Sequence, residues 1–132
     1  MILLDTHVLV WSVSDEAKLG ERTRAVIDSA WSRNEVAVSA ITFWEVALLQ
    51  DKGRLDLQVD IGSWRASLSN DGLRELPVDG QVGIQSVALK DFHRDPADRL
   101  IVATALNGHQ LVTADTKILD WPGALDRLDA RS

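Results

Sequence analysis

Four carboxylates of this 132-residue chain, Asp5, Glu45, Asp98 and Asp115, stand beside apolar runs or at helix starts, where charge needs a reason. Asp5 follows Ile2, Leu3 and Leu4 directly. A carboxylate at the rim of a core is penalised unless it is paired or binds a metal. Each acid also has a structural explanation. Asp5 can cap a helix opening near Thr6 or His7, and Asp115 one containing Ile118 and Leu119. Thr42 and Glu45 have the spacing of a capping box, and Asp98 can favour a helix start through the macrodipole. Taken together they point elsewhere. Crowded carboxylates resist ionising jointly unless positive charge joins them, and Mg²⁺ or Mn²⁺ provides it, taking oxygen ligands and bridging to phosphates. The chemistry implied is metal-assisted phosphodiester hydrolysis, with no protein nucleophile required.

The elements that would position these acids alternate along the chain. Ile2 to Leu4 reads as a strand buried on both faces, and a helix opens at His7 to Trp11. Glu21 to Trp31 has helical spacing, Val36 to Ala40 is strand-like, and a helix from Thr42 through Leu49 frays near Asp51 to Gly53. After a polar connector come a helix over Ile61 to Asn70, a short strand over Leu73 to Val78 and a helix over Asp79 to Leu89. Asp95-Pro96 is an N-cap with proline at the first helical position, opening a helix that Asn107-Gly108 ends. Gln110 to Thr113 is a strand running to Asp115. A short helix, a Trp121-Pro122-Gly123 turn and a weak strand around Leu125 to Leu128 follow. Strands joined through helices imply an α/β protein: a mostly parallel sheet with helices on both faces, in one domain over 1–132. Such sheets bind ligands outside the carboxyl ends of their strands, where Asp5 and Asp115 fall.

Composition narrows the function classes. Acids outnumber bases by 20 to 14, a net charge of −6, which excludes a protein that coats nucleic acid with a broad basic face. It does not exclude nucleic acid as substrate, because bound cations can meet the phosphate. The chain has no cysteine, hence no disulfide scaffold, thiol nucleophile or cysteine-based metal site. Neither a signal peptide nor a run of about 18 apolar residues is present, and a cytoplasmic protein is expected.

Four blocks carry a family resemblance: Ile2 to Trp11, Ser39-Ala40-Ile41-Thr42-Phe43-Trp44-Glu45, His93-Arg94-Asp95-Pro96-Ala97-Asp98-Arg99 with Leu100 to Ala103, and Leu111 to Asp115. In this order they resemble a PIN domain, and more narrowly the VapC-type toxins of toxin–antitoxin pairs. The resemblance implies a three-layer α/β/α sandwich and a Mg²⁺- or Mn²⁺-dependent endoribonuclease, working as a homodimer and silenced by a small antitoxin. It assigns Asp5, Glu45, Asp98 and Asp115 to an acidic catalytic pocket. Asp5 and Asp98 would hold the principal metal ion, with Glu45 and Asp115 completing the pocket directly or through waters. Thr113, and Thr6 beside the first acid, would support it. Of the two acids one turn apart, Asp98 is favoured as ligand and Asp95 as helix cap.

His7 and His93 invite a general-base or ligand reading, since histidine titrates near neutrality; against it, His7 reads as a helix-start histidine packed at the rim, and His93 as a residue that orients the loop before Asp95. Arg99 is open between a phosphate contact, neutralisation of the acids and an antitoxin contact. Of five tryptophans, Trp11, Trp31 and Trp44 read as core or interface, and Trp64 and Trp121 as candidates for a dimer or partner surface. The rival reading is a non-catalytic α/β module. A receiver-like phosphoacceptor expects an acidic pair after its first strand, whereas Thr6 follows Asp5; an inactive PIN fold sits poorly with retention of all four acids.

Overall fold

The computed structural model describes residues 1–14 and 16–132. Five strands form one sheet: β1 (Ile2–Leu4), β2 (Val36–Ser39), β3 (Arg74–Leu76), β4 (Gln110–Thr113) and β5 (Arg127–Asp129). Their order is β3-β2-β1-β4-β5, and all four pairings are parallel. The helices are α1 (Thr6–Ser14), α2 (Glu21–Ser32), α3 (Ile41–Asp51), α4 (Ile61–Asn70), α5 (Gly80–Ala88), α6 (Pro96–Ala105) and α7 (Thr116–Leu119). Among the described residues, no helix is long and apolar enough to cross a membrane.

The unbroken apolar runs explain the layering. Successive strand residues point to opposite faces, so a strand without polar residues needs a cover on both sides. Leu4, Val36, Val38 and Val112 face one way, toward Val8 and Leu9 of α1, Ile27 and Ala30 of α2, and Leu68 of α4. Leu3, Ala37 and Leu111 face the other way, toward Ile101, Val102 and Ala105 of α6, Ile118 of α7 and Trp121. The result is the three-layer α/β/α sandwich expected.

The chain leaves β1 toward β2 and β3 on one side and later returns to β4 and β5 on the other. The topological switch point therefore lies between the carboxyl ends of β1 and β4, the crevice where open α/β sheets bind ligands.

The structure departs from the expectations at both sheet margins and among the tryptophans. The strand foreseen over Leu73 to Val78 pairs only at Arg74–Leu76, because it lies on an edge and Pro77 has no N–H to donate. The weak strand foreseen around Leu125 to Leu128 lies further on, at Arg127–Asp129, in register with Leu111, Val112 and Thr113. Trp121 is not a partner surface. It is only 8% exposed and joins the second core cluster; its indole N–H donates to the Lys90 carbonyl at 2.8 Å. Gly123 lies flat against that indole, where a Cβ would come within 2.2 Å of ring carbons. Trp64 likewise packs partly buried against the first cluster, edge-on to Phe43. Trp44 is 56% exposed and so is not a core residue.

Candidate active site

Asp5 leaves the end of β1 still bonded to the sheet, its N–H donating to the Val112 carbonyl, while its own carbonyl accepts from Leu9 of α1. The residue is 3% exposed, and its side chain is held at both oxygens. Oδ1 accepts the Thr6 N–H at 2.8 Å, and Oδ2 accepts the Thr113 hydroxyl at 2.7 Å. Thr113, fully buried at the end of β4, also accepts the Asp115 N–H at 3.0 Å. One hydroxyl thus ties two acids from neighbouring strand ends. Asp115 caps α7, its Oδ1 accepting the Lys117 N–H at 2.9 Å.

Thr6 performs the matching task for Glu45, donating its hydroxyl to Oε1 at 2.5 Å. Its oxygen also lies 3.0 Å from the Thr42 hydroxyl. Since Thr6 has one proton and gives it to Glu45, Thr42 is the donor in that second bond. The capping box expected from Thr42 and Glu45 does not form. Helix α3 is entered from Ala40, itself in helical conformation, with no side-chain cap, so Thr42 already lies inside the helix. Being wholly buried, the Thr42 hydroxyl needs an internal partner and finds it in Thr6. Glu45, one turn on, is thereby aimed at the switch point rather than at its own helix start.

At the start of α6, Asp95 is the N-cap, accepting the Asp98 N–H at 3.1 Å with Pro96 at the first helical position. Asp98 is free of that task, and its Oδ2 lies 2.7 Å from His93 Nε2. His93, expected only to orient its loop, therefore bonds directly to a candidate ligand. No spacing in the sequence signals this contact, which depends on the path of the loop between α5 and α6. Arg99 is corrected too: its guanidinium is consumed by backbone carbonyls of Ser86, Leu89, Phe92 and His93, each at 2.9 Å. It clasps the loop between α5 and α6 and takes no part in neutralising the acids. His7 packs at the rim as expected, its Nε2 accepting the Ala114 N–H at 3.1 Å and its ring set edge-on to Trp11.

Asp5, Glu45, Asp98 and Asp115 all line one cavity of about 270 Å³, with Thr6 and His7 beside them. Val10, Trp11, Leu49 and Leu55 make an apolar wall, and Arg54 stands at the same cavity. Ligand atoms of His93, Asp98 and Asp115 lie within 4.8 Å of one another.

The electrostatics follow from this crowding. Burial pushes the Glu45 carboxyl up to about 7 against the pull of the Thr6 hydroxyl, and the charges of Asp5, Asp98 and Asp95 add to the rise. Burial likewise pushes Asp98 up to about 6 against the His93 bond, with Asp5, Asp95 and Asp115 contributing. Both acids would ionise readily if a cation arrived. The four side chains offer only oxygen, the donor set of a hard divalent cation, so the residues fit such an ion.

Residues 2–123 match the PIN domain. The chain belongs to the PIN-domain family. Along 119 residues this PIN domain is 36% identical to Ribonuclease VapC22 of Mycobacterium tuberculosis, covering 89% of this chain and 88% of that protein. Among solved structures it resembles FitAcB from Neisseria gonorrhoeae, with TM-score 0.58 and 28% identity over 89% of each chain. A toxin–antitoxin complex from Klebsiella pneumoniae has the same fold, with TM-score 0.65 and 24% identity over 98% of each chain.

Proposed function

We propose that this PIN domain is a divalent-cation-dependent endoribonuclease and the toxin of a toxin–antitoxin pair. The observation that carries the reading is the convergence of Asp5, Glu45, Asp98 and Asp115 on one cavity at the switch point, two of them resisting ionisation until positive charge joins them. RNA as substrate follows the 36% identical relative, a ribonuclease by name. As the family resemblance implies, the chain works in the cytoplasm as a homodimer and is silenced by a small cognate antitoxin.

In this reading Asp5 and Asp98 hold the principal cation, Mg²⁺ or Mn²⁺, and Glu45 and Asp115 complete the pocket directly or through waters. A cation bound there supplies Lewis-acid activation of water and neutralises charge developing on the phosphate. The chain's own part is preorganisation. Thr113 fixes Asp5 relative to Asp115, and Thr6, backed by Thr42, fixes Glu45. The apolar wall of Val10, Trp11, Leu49 and Leu55 lowers the local polarity, which strengthens ionic attraction inside the cavity.

The test is incubation of the purified chain with total RNA in Mg²⁺, in Mn²⁺ and in EDTA. Cleavage is expected with a cation and none with EDTA, and Asp5→Asn and Asp98→Asn should lose it while keeping the wild-type circular dichroism. Equal cleavage in EDTA, or full activity in either variant, contradicts the proposal.

A further inference from the structure

The loop between α5 and α6 is built around one imidazole. Arg99 draws the carbonyls of Leu89, Phe92 and His93 onto a single guanidinium, so the backbone at His93 is pinned from behind. The Phe92 ring lies 4.4 Å from the His93 ring, tilted by 32°, and stands edge-on to Trp121 at 5.5 Å. Trp121 in turn bonds the Lys90 carbonyl. The imidazole is thus held by its backbone, its stacked neighbour and that neighbour's support.

All this order serves one polar contact. His93 Nε2 bonds Asp98 Oδ2 at 2.7 Å, whereas Nδ1 is buried with no hydrogen-bond partner among the described residues. A buried nitrogen left unsatisfied costs stability, so its persistence calls for an explanation. Outer groups that bond a ligating carboxylate fix its orientation and govern how well it holds a cation.

We infer that His93 is the positioning residue for Asp98: its Nε2–H takes Oδ2 and leaves the other oxygen to be presented to a cation in one orientation. This rests on the functional reading above. His93 is not itself placed as a ligand, although its ring lies near Asp98 and Asp115. Nε2 is already committed to Asp98, and an oxygen-seeking cation gains little from Nδ1. The rest of the motif then has a division of labour. Asp95 caps α6, Asp98 faces the cavity, Arg99 clasps the loop and His93 sets the Asp98 carboxylate.

The test is direct titration of Mn²⁺ and Mg²⁺ into the full chain and its His93→Ala, His93→Gln and Asp98→Asn variants, with metal-free melting curves of each. His93→Ala should weaken both cations by about 10–100-fold. His93→Gln, whose amide N–H can still donate to Asp98, should recover most of that loss and melt close to wild type. Spin-echo spectra of Mn²⁺ on the wild-type chain should show no directly coupled nitrogen. Wild-type affinity in His93→Ala overturns the inference, as does a nitrogen coupling that His93→Ala abolishes, or a His93→Gln variant that folds yet binds as weakly as Asp98→Asn. Should Asp98→Asn bind both cations as tightly as wild type, the functional reading itself falls, and the place of His93 with it.

Discussion

Glu45 and Asp98 hold protons in the folded chain that they would lose on unfolding, which gives the cavity a signature without substrate or metal. Their folded values of about 7 and 6 stand above the ordinary 4.5 and 3.8. Between those limits these two groups bind more protons in the native state than in the unfolded one, so their contribution to the free energy of unfolding falls as pH rises. In EDTA the chain should therefore melt higher near pH 5 than near pH 8. Glu45→Gln keeps an acceptor for Thr6 and should raise the melting temperature near pH 8 while changing little near pH 5; melting curves at the two pH values check this. Thr113 is a second test at this scale. Thr113→Val keeps the shape but removes the donor to Asp5 and the acceptor for the Asp115 N–H. Loss of an outer partner that orients a ligating carboxylate weakens the metal site, so Mg²⁺ needed for half-maximal RNA cleavage should rise by about tenfold or more. An unchanged Mg²⁺ requirement would remove Thr113 from the site.

Among the elements, α6 separates capping from chemistry most cleanly. Asp95→Ala should cost about 1 kcal/mol of stability, read by urea denaturation, and leave most RNA cleavage intact, because Asp95 caps while Asp98 faces the cavity. Loss of cleavage as complete as in Asp98→Asn would reverse the two roles. This division was legible in the sequence, since Asp95-Pro96 is a strong helix start whatever follows. The start of α3 was not. Thr42 and Glu45 have capping-box spacing, and only the burial of Thr42 against α1 shows that its hydroxyl turns to Thr6 instead. Arg99 and His93 were hidden for a related reason. Their partners are backbone carbonyls and a carboxylate brought near by a loop, and no side-chain pattern records where that loop bends.

For the whole molecule, the sheet was readable because its three central strands are mostly apolar, and such runs require helices on both faces. Its margins were less so. β3 and β5 have a neighbour on one side only, so their ends depend on Pro77 and on register with β4 rather than on their own composition. Trp121 was misplaced because the Pro122-Gly123 turn beside it reads as a surface feature, whereas Phe92 and the residues of α6, distant in sequence, cover its ring. The net charge of −6 now has an address in part: four of the acids share one cavity between the ends of β1 and β4. That cavity as a cation site is most directly tested by an anomalous difference map from crystals of the chain soaked in Mn²⁺. A peak bound by carboxylate oxygens of Asp5 and Asp98 is predicted. Full Mn²⁺ loading with the density elsewhere on the surface, and none among the four acids, would contradict it.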